Sequence, residues 1–125
     1  MKIIQTVEVK QKLTAKSKEK LLQKFSAEKQ QLQRECEQLL FELKRLEKTK
    51  KFSPLRLKEH FDKEIEQRRQ KIKLLDFQIE QLHILPLGSE LKEQEVQAII
   101  EVKEGDRWEL ARAIIIEDGI VKEIR

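Results

Sequence analysis

Residues 39–65 read LLFELKRLEKTKKFSPLRLKEHFDKEI, and in this stretch one amphipathic helix stops and another starts. Upstream of the break, Leu22, Phe25, Leu32, Cys36, Leu39, Leu43 and Leu46 recur at spacings of three and four. Downstream, Phe61, Ile65, Ile72, Leu75, Ile79 and Leu82 do the same. Spacing of this kind places apolar side chains on one stripe of a helix. Between the two runs stands only Lys48-Thr49-Lys50-Lys51-Phe52-Ser53-Pro54, too short for anything but a bend. The pattern predicts a long antiparallel helical hairpin with a positive tip.

Heptad labels put Leu22, Lys29, Cys36 and Leu43 at one seam position and Phe25, Leu32, Leu39 and Leu46 at the other. Folding back at Phe52 layers Leu43 on Phe61, Leu39 on Ile65, Leu32 on Ile72, Phe25 on Ile79 and Leu22 on Leu82, and the same pattern allows a register slipped by one layer. Lys29 then faces Leu75, and Arg68 faces Cys36. Cations at a seam act as register devices or lay their aliphatic stems along it with the charge in water, and the second behaviour is the commoner. A connection this short favours pairing within the chain.

The flanks of the hairpin have a different period. In residues 1–12, Ile3, Gln5, Val7 and Val9 fall on one face, which reads as a strand. Thr14 is a candidate N-cap for the first helix, which runs to about Thr49 without Gly or Pro. Ser53-Pro54 suits a second helix start, and that helix is expected to end near His83, ahead of Leu85-Pro86-Leu87-Gly88. Val96, Ala98, Ile100 and Val102 then alternate as a strand does. Residues 113–117 and 120–124 flank Asp118-Gly119, a two-residue hairpin signal, since both residue types tolerate positive φ. Residues 108–111 read equally as a helical turn or a bulged strand. Trp108, the one tryptophan, is expected to close the core of the sheet.

The predicted fold is therefore α+β. A two-helix coiled-coil hairpin (residues 14–86, bend at 49–54) projects from a small antiparallel sheet of about four strands. The sheet is built from residues 1–13 and 87–125.

Charged residues make up 40% of the chain and hydrophobic ones 38%, a balance that suits long exposed helices better than a large core. Residues 14–86 hold 18 Lys and Arg against 12 Asp and Glu, whereas residues 87–125 hold 6 against 10. Attraction for polyanions is thus expected on the hairpin. It is strongest at the bend, where Lys44, Arg45, Lys48, Lys50, Lys51, Arg56 and Lys58 surround a single acid, Glu47. Clustered exposed cations neutralise phosphates and release counterions, the basis of sequence-independent nucleic-acid affinity. Phe52 is placed either to stack on a base or to cover the last seam layer.

Other chemistries find little support. The lone Cys36 excludes an intrachain disulfide and any Cys-based zinc cluster, and it reads as a buried small hydrophobe. His60 and His83 are far apart in the hairpin and lack further ligands at metal spacing. There is no Gly-rich phosphate loop and no nucleophile constellation. No enzyme activity, cofactor or metal is expected. No apolar run reaches the ~20 residues of a membrane span, and no leader pattern opens the chain, so a soluble cytoplasmic protein is expected.

Three stretches together resemble one family. MKIIQTVEVKQKLT (1–14), LQRECEQLL with RLEKTKKFSP (32–40 and 45–54) and IIIEDGIVKEIR (114–125) are similar to the YlqD family of small bacterial proteins over essentially the full length. These motifs are architectural and carry no catalytic signature or family site residues. Genes of that family commonly lie beside those for a small-subunit ribosomal protein, a KH-type RNA-binding protein, a ribosomal-RNA maturation factor and a tRNA methyltransferase. The resemblance therefore implies a role near ribosome assembly or RNA metabolism.

Two functions are expected from these readings. The first is a non-enzymatic accessory factor that contacts structured or ribosomal RNA through the tip, with the sheet free to take a protein partner. The second is a protein-interaction scaffold or holdase-like module using apolar side chains beside the seam, among them Leu40, Phe41, Leu74 and Phe77. The oligomeric state is left open.

Overall fold

A computed structural model describes residues 1–108 and 112–125. Six elements follow one another: β1 (Lys2–Lys12), α1 (Ala15–Thr49), α2 (Pro54–Ile84), β2 (Glu90–Glu101), β3 (Ala113–Glu117) and β4 (Ile120–Ile124). They divide into two compact units, Met1–Glu19 with Leu85–Arg125, and Lys20–Ile84.

The first unit is a four-stranded sheet in the order β2-β1-β3-β4. β1 pairs with β2 antiparallel along its whole length, with a bulge at Val9/Lys10. β3 pairs with β4 antiparallel through the turn at Asp118-Gly119, where both residues have positive φ (48° and 81°) as that turn type requires. The pairing of β1 with β3 is parallel, so the sheet is mixed rather than wholly antiparallel. The reason is geometric. β2 ends at Glu101 opposite Lys2, where β1 begins. β3 pairs with Glu8–Gln11 in the second half of β1, so the chain crosses to the far side of β1 while advancing in β1's own direction.

Val7, Val9, Leu13, Ala113 and Ile115 form the buried core of this unit, with Ile115 only 2% exposed. On the other face of β1, Glu8 opposes Glu95, and Lys92 bridges the two like charges with contacts to both carboxylates. Trp108 does not close the core, contrary to the reading from sequence: it is 67% exposed. A tight turn from Lys103 to Asp106 causes this. Asp106 N donates to Lys103 O, Lys103 N donates to Asp106 Oδ2, and Gly105 takes φ 93°. The turn delivers Trp108 to the rim beside Ile100 and Gln5 rather than over Val7 and Val9. Residues 109–111, where a helical turn or a bulged strand was expected, lie outside the described residues.

Thr14 caps α1 as its position suggested. Ser17 N donates to Thr14 Oγ1 (3.1 Å), while Thr14 N donates to Ser17 Oγ (2.9 Å), a reciprocal pair that satisfies two orphan amides. Thr14 Oγ1 also donates to Asp118 Oδ1, tying the start of α1 to the β3–β4 turn. Leu13 N donates to Ser89 O, Gly88 N donates to Leu13 O, and Lys18 Nζ reaches Leu85 O. These bonds latch the chain entering α1 to the chain leaving α2.

The second unit is the helical hairpin. Leu43, Phe61, Ile65, Leu75 and Leu82 are its buried side chains. The two seam cations do more than snorkel into water: both are paired with carboxylates. Lys29 Nζ sits 2.5 Å from Asp76 Oδ1 across the seam, and Arg68 Nε lies 3.8 Å from Glu35 Oε2 while its Nη1 bonds Glu64. The Arg68 bond holds the Glu64 carboxyl below its usual range. Asp76 adjoins Leu75 and Glu35 adjoins Cys36, so these cross-helix pairs agree with the register that places Lys29 at Leu75 and Arg68 at Cys36. Cys36 itself is half-buried.

Candidate nucleic-acid interface

The bend is built by an ordinary stop and start. α1 ends at Thr49, whose hydroxyl donates to Leu46 O, and Lys50 takes the left-handed conformation (φ 55°) common just past a helix end. α2 begins with Pro54 at its first position, and Ser53 O accepts the first helical bond from Leu57 N. Only four residues separate the helices, and two of them are Lys50 and Lys51.

All seven cations of this region are exposed. Lys44, Arg45 and Lys48 lie on the last turns of α1, Lys50 and Lys51 in the connection, and Arg56 and Lys58 at the start of α2. Among the described residues none of the seven forms an ion pair, in contrast to Lys29 and Arg68 in the same unit. Spacings of three and four put Lys44, Arg45 and Lys48 on one stripe of α1. Arg56 and Lys58, two residues apart, point to different sides of α2. The positive charge therefore surrounds the tip instead of forming one flat patch.

An open hollow of about 360 Å³ lies at the tip, lined by Glu47, Lys50, Phe52, Pro54 and Leu57. Phe52 borders this hollow and is 56% exposed. Leu55 beside it is also exposed, a feature the heptad reading missed because Leu55 falls off the seam. The tip thus presents cations interleaved with apolar surface, an arrangement that can meet phosphates and bases together.

Among the described residues no group of three His, Cys, Asp or Glu side chains is placed to hold a metal ion, and no helix is long and apolar enough to cross a membrane. His60 packs edge-on against Phe61, with ring centroids 5.5 Å apart.

The fold and its basic bend define a class: α+β proteins that combine a small mixed sheet with a two-helix hairpin. The family model described as "YlqD protein" matches residues 1–125, and the chain belongs to the YlqD family. The Bacillus subtilis (strain 168) protein described as "Uncharacterized protein YlqD" is 52% identical over 128 residues, covering 100% of this chain and 98% of that one. A crystal structure of a protein of unknown function from Synechococcus sp. WH 8102 has the same fold. Its TM-score is 0.76 at 17% identity, over 100% of this chain and 94% of that chain.

Proposed function

We propose that this chain is a non-enzymatic accessory factor that docks on structured RNA, ribosomal RNA foremost, through the tip of its helical hairpin. One observation carries the reading: between Lys44 and Lys58 seven exposed cations, none in an ion pair among the described residues, surround a single acid. Unpaired surface cations have no protein charge to give up on meeting a phosphate, and each counterion they release adds to affinity. The packed seam behind them keeps the cluster on a stiff support. Such a factor works in the cytoplasm, where ribosomes are assembled.

The test is affinity purification of the full chain from cells, with and without nuclease. Ribosomal subunits or RNA that co-purify and disappear on nuclease treatment support the reading. Protein partners that persist unchanged through nuclease treatment, with no RNA recovered, contradict it.

The scaffold reading draws on Leu40, Phe41, Leu74 and Phe77, all of which are exposed. In the register that the Lys29–Asp76 and Glu35–Arg68 pairs mark, they form two doublets roughly 20 Å apart along the hairpin. Separate small doublets are ordinary surface rather than the contiguous apolar patch a holdase needs. The tip is the better-supported contact.

A further inference from the structure

We propose that the cavity beside Trp108, in the sheet unit, binds a single nucleotide, with its phosphate on Arg112 and Arg107 and its base against the indole. This site is distinct from the hairpin tip, and the inference does not depend on the tip binding RNA.

The cavity measures about 260 Å³. Its apolar wall is Ile100 and Val102, and its polar lining includes Gln5, Arg107 and Arg112. An apolar wall with a few convergent polar groups is the usual make-up of a small-ligand site. The volume falls just below the ~300–1,000 Å³ of pockets that enclose whole drug-sized ligands, so it suits one flat group and its phosphate rather than a longer chain.

Two features point to an anionic, aromatic ligand. Arg112 lines the cavity with its Nε buried and without a hydrogen-bond partner, and no ion pair neutralises it among the described residues, so its guanidinium stands in the wall with charge to offer an oxyanion. Trp108 has no place in the core and stands 67% exposed at the cavity rim, although the chain has only one tryptophan and no tyrosine. An exposed indole next to guanidinium groups is the combination that stacks a base while the backbone phosphate is held. Of the two acids on the rim, Asp106 has its carboxylate taken up by Lys103 N, and Glu101 lies at the exposed end of β2. The Lys103–Asp106 turn fixes the approach of Arg107 and Trp108 to the sheet.

Because Trp108 is the sole tryptophan, the fluorescence of the full chain reports on this site directly. AMP, adenosine, inorganic phosphate and a short single-stranded RNA are titrated in parallel, and circular dichroism verifies each variant. The expected result is a saturable change with AMP that adenosine and phosphate alone reproduce only at much higher concentration. Arg112→Gln weakens it by about tenfold or more. Trp108→Ala, followed by calorimetry, weakens AMP binding by about fivefold or more. Lys48→Glu/Lys50→Glu/Lys51→Glu leaves AMP affinity unchanged, which separates this site from the tip. Stronger binding of the RNA than of AMP assigns the site to a nucleotide within a strand, and equal binding assigns it to the free nucleotide. A non-saturating response, or a saturable one equal in wild type and in folded Arg112→Gln and Arg107→Gln, overturns the proposal.

Discussion

Arg125 grips Glu90 with both arms of its guanidinium, Nη1 to Oε2 at 2.8 Å and Nη2 to Oε1 at 2.5 Å. Arg125 follows β4 and Glu90 opens β2, the two outer strands of the β2-β1-β3-β4 sheet. In a flat sheet those strands stand three spacings apart, about 14 Å. A direct side-chain pair across that interval uses the full reach of an arginine and a glutamate and ties the two edges of the sheet together.

The Arg125 bond holds the Glu90 carboxyl below its ordinary 4.5, against a smaller opposing effect of burial. A carboxylate depressed in the folded state stabilises the fold above its unfolded pKa, and that contribution is lost as pH falls through the folded value. Arg125→Ala should move the Glu90 titration, followed by carbon-detected NMR, back toward 4.5. It should also lower the urea midpoint at about pH 7 while leaving it nearly unchanged at about pH 3. An equal loss at both pH values would show that the pair acts through packing instead of charge.

Thr14 has two duties, capping α1 at Ser17 and holding Asp118 in the β3–β4 turn. Thr14→Ala should cost about 1 kcal/mol, the usual worth of an N-cap, while Thr14→Ser keeps most of it. A double-mutant cycle with Asp118→Ala should show a coupling on the order of 0.5 kcal/mol or more. Strict additivity in denaturant melts would mean that the 2.8 Å Thr14–Asp118 bond contributes nothing to folding.

Ile65 is among the most buried side chains of the hairpin, at 3% exposure. Ile65→Ala should destabilise by about 2–5 kcal/mol, since the packed seam leaves a cavity that neighbours fill only in part. A melting curve within a degree or so of wild type would place Ile65 outside a cooperative core.

Lys29 occupies a seam position opposite Leu75 and spends its charge on Asp76. Partly exposed ion pairs contribute little, so Lys29→Leu should raise the thermal midpoint by adding apolar contact to the seam. Sedimentation alongside the melt tests for a change of oligomeric state, the usual penalty for removing a polar seam residue. A lower midpoint in a monodisperse sample would show that the ion pair stabilises the hairpin more than the apolar contact does.

The hairpin was legible in the sequence because a helix records burial at a spacing of three and four, and because Thr14, Pro54 and Gly88 mark its ends. The sheet was only partly so. Alternation tells which face of β1 is buried, but it carries no information on whether β3 lies beside β1 or which way it runs. The first half of β2 (ELKEQE, residues 90–95) is almost devoid of apolar residues and offers no alternation to read, and it is fixed instead by its register with β1. The exposure of Trp108 was not readable, since residue type alone favours burial and the Lys103–Asp106 turn that diverts it is a three-dimensional fact. The seven cations of the tip were all visible as a run. What sequence left open was whether helix-surface acids would neutralise them, as Asp76 does Lys29, and among the described residues none does.

Binding of structured RNA to the full chain and to Lys48→Glu/Lys50→Glu/Lys51→Glu, each measured across a salt series, tests the proposed role of the tip most directly. A phosphate contact made by the tip predicts wild-type affinity that falls with salt at a log–log slope of about −2 to −4. It also predicts a reversed-charge variant that keeps its helicity and loses at least about a hundredfold in affinity. Equal affinity and an equal salt slope in a folded variant would contradict RNA docking at the tip.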